Sequence, residues 1–389
     1  VNLAKKHNGG KNPLIGDIDS LFGDEPFAYY FTSKKEYLIQ TADGEDRIPV
    51  NKNSFQAHLK VAGFSSSRIE DKTFSEIDQV IARTETTNGI SFCGSIAGKF
   101  KGIHTINGAK YLITQEPQLI TGKQGDWSNL EVILKGILSS SETEEVGRIQ
   151  LDTFYSWLKL SLQNLKSGST MPAQALAFAG EVGCGKSTLQ NHIITPILGG
   201  RSVKAGEHFT AKQNFNSALF TAEHLRVDDE FSDQSSKNRH LIAAMLKQFT
   251  VALTNQTLKQ KFADEIPVTP YWRLTISLND EPDDLAVLPP IKKGVDDKIS
   301  LFKCTRQDYV FPDYVEGHYQ PLEQGIEREL AAFVYFLENV YEVPVELQDP
   351  RYGVRALQHP DLGEALKDLC VEEVLLDLID KHILDKTKV

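Results

Sequence analysis

Gly180-Glu181-Val182-Gly183-Cys184-Gly185-Lys186-Ser187 satisfies the phosphate-binding pattern G-x-x-x-x-G-K-[ST] at every fixed position. The apolar run Ala175-Leu176-Ala177-Phe178-Ala179 before it reads as a strand, and Thr188-Leu189-Gln190-Asn191-His192-Ile193-Ile194 after it reads as a helix. Each residue type has a physical reason. Glycine lets the backbone wrap an anion without a Cβ in the way. The loop amides and the helix N-terminus then face that anion with partial positive charge. Lys186 is spaced to reach β- and γ-phosphates, and the Ser187 hydroxyl to ligate Mg²⁺. The expected nucleotide contacts are therefore Gly180, Glu181, Val182, Gly183, Cys184, Gly185, Lys186, Ser187 and Thr188. A Gly-rich turn before an ordinary helix is the bland alternative.

About 43 residues after Lys186 comes Leu225-Arg226-Val227-Asp228-Asp229-Glu230, preceded by the apolar segment Ala218-Leu219-Phe220-Thr221-Ala222. It reads as a strand ending in acids, and a βαβ core would bring such an end beside the phosphates. Asp229 is expected to hold Mg²⁺ through water, and Glu230 to orient and polarise the attacking water. Asp228 competes for the metal-side role, and a solvated acidic turn is the plainer alternative. A third strand, Trp272-Arg273-Leu274-Thr275-Ile276-Ser277-Leu278, ends at Asn279. A polar residue at that tip can sit between the two motifs and bind the γ-phosphate or the water. Asn-Asp-Glu-Pro is equally good turn chemistry.

The 389 residues carry 42 Lys and Arg against 53 Asp and Glu, a net charge of −11. That argues against a general nucleic-acid coat, but not against a locally basic channel in an assembly. With 40% hydrophobic and 24% charged residues the composition is ordinary for a soluble protein. No apolar run reaches about 18 residues, so no membrane span is expected. The start, Val1-Asn2-Leu3-Ala4-Lys5-Lys6-His7, lacks the apolar core of a signal peptide. Cys93, Cys184, Cys304 and Cys370 are widely separated and form no C-x-x-C pair, which fits a reduced, cytoplasmic chain.

Three regions are expected. Over 1–150, short β-like runs alternate with turns around one helix-like insert, Phe55 to Ala62, as in a small α+β accessory domain. From Thr153 to Lys166 the period changes, with Phe154, Trp157, Leu158, Leu162 and Leu165 at helical spacing. This opens an α/β nucleotide-binding core over 151–345. Pro344 and Gln348-Asp349-Pro350 mark its end, and a helical region follows over 346–389. Asp17-Ile18-Asp19 has no apolar strand before it and reads as a surface loop rather than a primase site.

These motifs, with Pro270-Tyr271-Trp272-Arg273-Leu274-Thr275-Ile276-Ser277-Leu278-Asn279-Asp280-Glu281-Pro282 and Leu288-Pro289-Pro290, resemble the ATPase domain of phage and plasmid primase-helicases. These are superfamily 3 helicases, a branch of the AAA+ ATPases. The likeness extends to Gly199-Gly200-Arg201, Arg351-Tyr352-Gly353-Val354 and His359-Pro360. It implies a P-loop AAA+ core, ATP and Mg²⁺, a ring that is usually hexameric, and translocation on single-stranded DNA in a bacterial or phage-infected cell. It also implies a sensor role for Asn279 and a hairpin, before the strand that ends there, that carries basic residues into the ring channel. Lys259 and Lys261 stand at that position, with Phe262 placed to stack, although a solvated basic face has the same composition. Related motors place an arginine finger just before the next strand. Here that position is Lys298, which lacks the guanidinium fork; Arg306 is the alternative, with Arg273 and Arg239 weaker.

The leading expectation is thus a ring-forming DNA helicase or translocase, with the N-terminal region available to a primase or another replication or defence protein. A regulatory or anti-phage defence ATPase, whose nucleotide state controls assembly, is the alternative that the acidic charge keeps open. A small-molecule kinase fits less well, because Asp229, Glu230 and Asn279 suit water activation.

Overall fold

A computed structural model describes residues 18–22, 26–41, 46–68, 74–139, 142–206, 216–228, 236–251, 256–259, 265–289, 291, 294–306, 320–366 and 375. These fall into two compact units. The first lies within 1–95, 100–115 and 259–266, the second within 96–99, 116–258 and 267–389.

The second unit is built on a parallel sheet. Its strands are β1 (Ala175–Ala179), β2 (Ser202–Lys204), β3 (His224–Asp228), β4 (Arg273–Leu278) and β5 (Ile299–Lys303), in the order β5-β1-β4-β3-β2. Every neighbouring pair is parallel. The register aligns Lys303 with Ala179, Ala179 with Leu278, and Ser277 with Asp228, so the C-terminal ends of β5, β1, β4 and β3 lie level. Every residue of β1 and β4 is buried, as expected for parallel strands covered on both faces.

One face of the sheet carries α1 (Ser128–Ser139), α2 (Glu144–Lys166) and α4 (Gln320–Asn339), which share a core with Phe178 of β1 and Phe302 of β5. Phe154 of α2 meets both rings edge-on, with centroids 6.2 and 6.4 Å away. Each such ring contributes about 1.5–3 kcal/mol by leaving water. Helix α3 (Ser236–Thr250) places Phe249 against Trp272, 4.8 Å between centroids. Residues 116–258 belong to this unit, so α1 and the start of α2 lie in its core. The apolar segment before the acidic strand forms a short helix, Ser217–Phe220, and the strand itself starts at His224.

The first unit is α+β. Strands Arg47–Val50, Glu36–Gln40, Ala28–Phe31 and Gly89–Ile90 form one sheet in that order, and Phe92–Gly94, Ala109–Ile113 and Gly102–Ile106 form another. Helix Lys52–Val61 is capped by the Asn51 side chain, which accepts from the Ser54 amide. A further helix, Glu76–Thr87, was not anticipated. It starts at a capping box between Ser75 and Asp78 and buries Ile77, Val80, Ile81 and Thr84 on one stripe. Phe55, Leu59, Ile77 and Val80 pack with Tyr37 and Ile39. Among the described residues, no helix is long and apolar enough to cross a membrane.

Candidate functional site

The loop between β1 and Lys186 is held by backbone contacts on both sides. Gly180 N–H donates to the Leu278 carbonyl at 3.2 Å, and Cys304 N–H donates to the Ala179 carbonyl at 2.7 Å. The chain passes so close to β5 that a Cβ on Gly180 would lie 2.1 Å from the Cys304 carbonyl oxygen, so only glycine fits. Gly185 precedes the helix with φ +99°, a conformation open to glycine at no steric cost. The following helix is composite: Lys186–Thr188, a π-helical stretch Leu189–Ile194, and Thr195–Ile197. A cavity of about 280 Å³ opens here, lined by the loop from Gly183 to Thr188 with His192, Leu322 and Glu323.

Lys186 is buried against this loop. Its ammonium donates to the carbonyls of Gly180 and, at 3.0 Å, Glu181, and to Asn279 Oδ1 at 3.3 Å. This last contact follows from the strand order. β4 lies between β1 and β3, so the residue after β4 sits between the glycine loop and the acidic strand end. Asp228, at the end of β3, has Lys204 at 3.6 Å and Arg226 at 3.8 Å. Ser187 is exposed at the helix start. Asp229 and Glu230 lie outside the described residues.

Beneath the loop helix is a buried polar network. Gln190 Nε2 donates to Thr275 Oγ1 (2.8 Å), and Thr275 and Thr195 flank His224 at 2.8 and 2.7 Å. Thr195 also donates to the Gln190 carbonyl at 2.8 Å. Thr195 has thus spent its proton, so His224 must donate from Nδ1 and accept at Nε2 from Thr275. Burial and, secondarily, Arg226 push the imidazole down to about 3, so it stays neutral.

The candidate finger residues separate. Lys298 is 8% exposed, just ahead of β5, where its carbonyl accepts from Ala175 N–H at the N-terminal edge of the sheet. Its ammonium pairs with Asp297 at 2.6 Å. Arg306 is exposed just beyond the C-terminal end of β5, the edge that carries the glycine loop. Arg273 is buried at the opposite end of β4 and bonds to Ser161 Oγ (2.8 Å) and the Trp272 carbonyl (2.8 Å) while stacking on Tyr271; it is a structural cation. Arg239 is half-buried on α3. Lys259 follows the strand Gln256–Leu258 and pairs with Glu265 at 3.0 Å, and Lys261 and Phe262 lie outside the described residues.

Several contacts escaped the sequence reading. Arg201, from the Gly199-Gly200-Arg201 segment, clamps the fully buried Glu223, which also accepts from Gly98 N–H at 2.8 Å. Cys184 in the loop and Cys304 after β5 are both buried and lie close enough to perturb each other. The Cys304 side chain, with the nearby Lys186 charge, pulls the Cys184 thiol below its usual range, while burial pushes Cys304 up. Glu142, His359 and Asp361 also bring ligand-type atoms within 4.8 Å of one another, but Lys303 already pairs with Asp361 at 2.5 Å there. Apart from His359 and Asp361, none of these partners is near the other in sequence, so no local pattern reports them.

The model of a family of unknown function, DUF5906, matches residues 178–287, which span the glycine loop, the acidic strand end and Asn279. No curated protein matches the chain. Among solved structures, the apo C-terminal region of NrS-1 (305–718) is similar at a TM-score of 0.56 and 14% identity, over 88% of this chain and 71% of that one. A second form of that region gives a TM-score of 0.56 at 13% identity, over 92% and 75%. JCV helicase matches at a TM-score of 0.33 and 13% identity, over 63% and 61%. At these identities the NrS-1 likeness is one of fold.

Proposed function

We propose that the second compact unit is a P-loop ATPase of the AAA+ class, in the superfamily 3 helicase branch, and that a ring of subunits, a hexamer in such motors, uses it to move along single-stranded DNA. The observation that carries this reading is the meeting of the glycine loop, Lys186 and Asn279 at the C-terminal edge of a β5-β1-β4-β3-β2 parallel sheet. Ligands of open α/β sheets sit at that edge. The fold likeness to the NrS-1 C-terminal region supports the architecture.

The cradle suits a triphosphate. Gly180 has no room for a side chain, Gly183 and Gly185 have positive φ, and Ser187 is exposed beside Lys186. On ATP binding, Lys186 would exchange the loop carbonyls for β- and γ-phosphate oxygens. Ser187 and Asp229 would hold Mg²⁺, which neutralises phosphate charge when bound. Glu230 would polarise the water that attacks the γ-phosphorus, and Asn279 would fix that water or the γ-phosphate. Between the finger candidates, exposure and position favour Arg306; Lys298 would first have to leave Asp297 and its burial. Lys259 and Lys261 would meet DNA phosphates. The first compact unit would serve as the accessory region, open to a primase or another replication or defence protein.

The net charge of −11 favours one second reading, a regulatory or defence ATPase that assembles without unwinding. Phosphate release from ATP, measured with and without single-stranded DNA, separates them. The motor reading expects Mg²⁺-dependent hydrolysis that DNA stimulates and that Lys186→Ala abolishes. Hydrolysis indifferent to DNA moves the assignment to the regulatory class, and wild-type turnover in Lys186→Ala removes this loop from the mechanism.

A further inference from the structure

The glycine loop holds a pair of thiols. Cys184 stands at its centre between Gly183 (φ +82°) and Gly185 (φ +99°), and Cys304 follows β5. The two come from segments 120 residues apart and meet across Gly180: a Cβ there would lie 2.1 Å from the Cys304 carbonyl oxygen and 3.0 Å from Cys184 Sγ. The two thiols perturb each other's titration, so they lie close together. Both residues are almost fully buried, and Cys184 forms part of the wall of the 280 Å³ loop cavity, the side from which a small molecule approaches it.

We propose that Cys184 and Cys304 form a reversible disulfide on exposure to a peroxide, and that this bond closes the glycine loop to nucleotide. The pairing stands on the meeting of the two segments at Gly180, and its effect on nucleotide rests on the function proposed above. The Cys184 thiol is the attacking member, because the neighbouring Cys304 side chain and the Lys186 charge favour its thiolate. Its sulfur attacks one peroxide oxygen and the O–O bond breaks. A sulfenic acid forms, and the departing hydroxide takes up the proton released by the thiol as water. Cys304 sulfur then attacks the sulfenic sulfur. The S–O bond breaks, the S–S bond forms, and hydroxide leaves with the Cys304 proton as a second water. Two thiols lose two electrons and one hydrogen peroxide gains them.

A disulfide fixes the sulfurs about 2 Å apart. Closing to that distance draws the Cys184 backbone towards β5, and the flanking glycines pass the shift to the amides that define the loop. The coupling must run both ways. A nucleotide whose phosphates fill the cavity covers Cys184 and slows its oxidation.

The test treats the reduced full chain with hydrogen peroxide, blocks free thiols, and reads intact mass and peptide map. The expected product lacks two hydrogens and joins the Cys184 peptide to the Cys304 peptide. ATP with Mg²⁺ slows its formation, and a dithiol reverses it. A fluorescent ATP analogue is expected to bind the oxidised chain about ten- to a hundredfold more weakly, in the range of strong site-to-site coupling. Cys304→Ser, or Cys304→Ala if serine is poorly tolerated, should bind the analogue like the reduced wild type both before and after peroxide. Absence of the joined peptide, or over-oxidation of Cys184 without it, overturns the pairing. A joined peptide with unchanged analogue binding overturns closure of the loop. If the reduced wild type binds no analogue while the joined peptide still forms, the thiol pair stands, and the nucleotide reading falls together with the switch built on it.

Discussion

Lys186 and Asn279 are 93 residues apart and touch at 3.3 Å, so each has its role defined by the other. The amide oxygen of Asn279 shares the lysine with loop carbonyls. On the proposed reading, a bound nucleotide would take the lysine and leave Asn279 to position water or the γ-phosphate. Asn279→Ala is therefore expected to keep ATP binding and lower kcat by about 10²-fold, the scale of one oriented polar group removed. Glu230→Gln is expected to do the same through the water, by at least about 10²-fold, and to accumulate ATP-bound assemblies. A larger effect from Asp228→Asn, with Glu230→Gln nearly silent, would shift the acidic motif by residues. His224 gives a stability prediction. Its folded pKa is held down to about 3 against an ordinary 6.5. Below about pH 6.5 the unfolded chain therefore binds a proton that the folded chain refuses, and stability falls with falling pH across that window. The loss approaches about 1.4 kcal/mol for each pH unit well inside it. Urea midpoints between pH 7 and 5 should fall, and should fall less steeply in His224→Gln, which starts less stable. Equal slopes would show that other groups carry the acid sensitivity.

The strand–loop–helix element was readable because its requirements are local: apolar residues for a strand buried on both faces, glycines for a tight anion-facing turn, then Lys-Ser at a helix start. The reason for Gly180 itself is not local. The close approach of Cys304 forbids a side chain there. Gly180→Ala is expected to cost about 1–3 kcal/mol as overpacking and to weaken nucleotide binding by moving the loop away from β5. Thermal unfolding and a nucleotide titration check both, and an alanine variant of wild-type stability would refute the close approach. Other elements were misjudged for identifiable reasons. Ala218 to Ala222 is almost wholly apolar, which suits a buried strand or a buried helix equally; it forms the helix Ser217–Phe220. Glu76–Thr87 carries the stripe Ile77, Val80, Ile81 and Thr84 and a Ser75–Asp78 cap, so its signal was present but submerged in a β-rich neighbourhood.

For the whole molecule the question is whether an acidic chain works on DNA. Its net charge of −11 leaves only a local basic element for that task, and Lys259 with Lys261 is the sequence's candidate. Lys259 pairs with Glu265, so its charge is partly spoken for. Replacing both lysines by Ala should weaken single-stranded DNA binding alike for all sequences and reduce the salt slope by roughly 0.7 for each phosphate left unneutralised. Basal hydrolysis should persist, while DNA-stimulated hydrolysis falls. Wild-type DNA affinity and slope in the double variant would move weight to the regulatory ATPase.

The chemistry on offer is legible in the amino-acid order: a glycine loop with Lys186 and Ser187, acids after one apolar run, and Asn279 after another. These signals are local because a phosphate cradle needs consecutive amides, and a strand tip needs only its own strand. Which of these groups meet is a matter for the folded chain. Placing β4 between β1 and β3 brings Asn279 to Lys186, and pairing β5 with β1 puts Cys304 on Gly180 and Cys184. The same pairing separates Lys298 from Arg306, at opposite ends of one strand. Strand order is set by which faces can be buried together over the whole chain. That is a sum over distant interactions, and no window of sequence contains it.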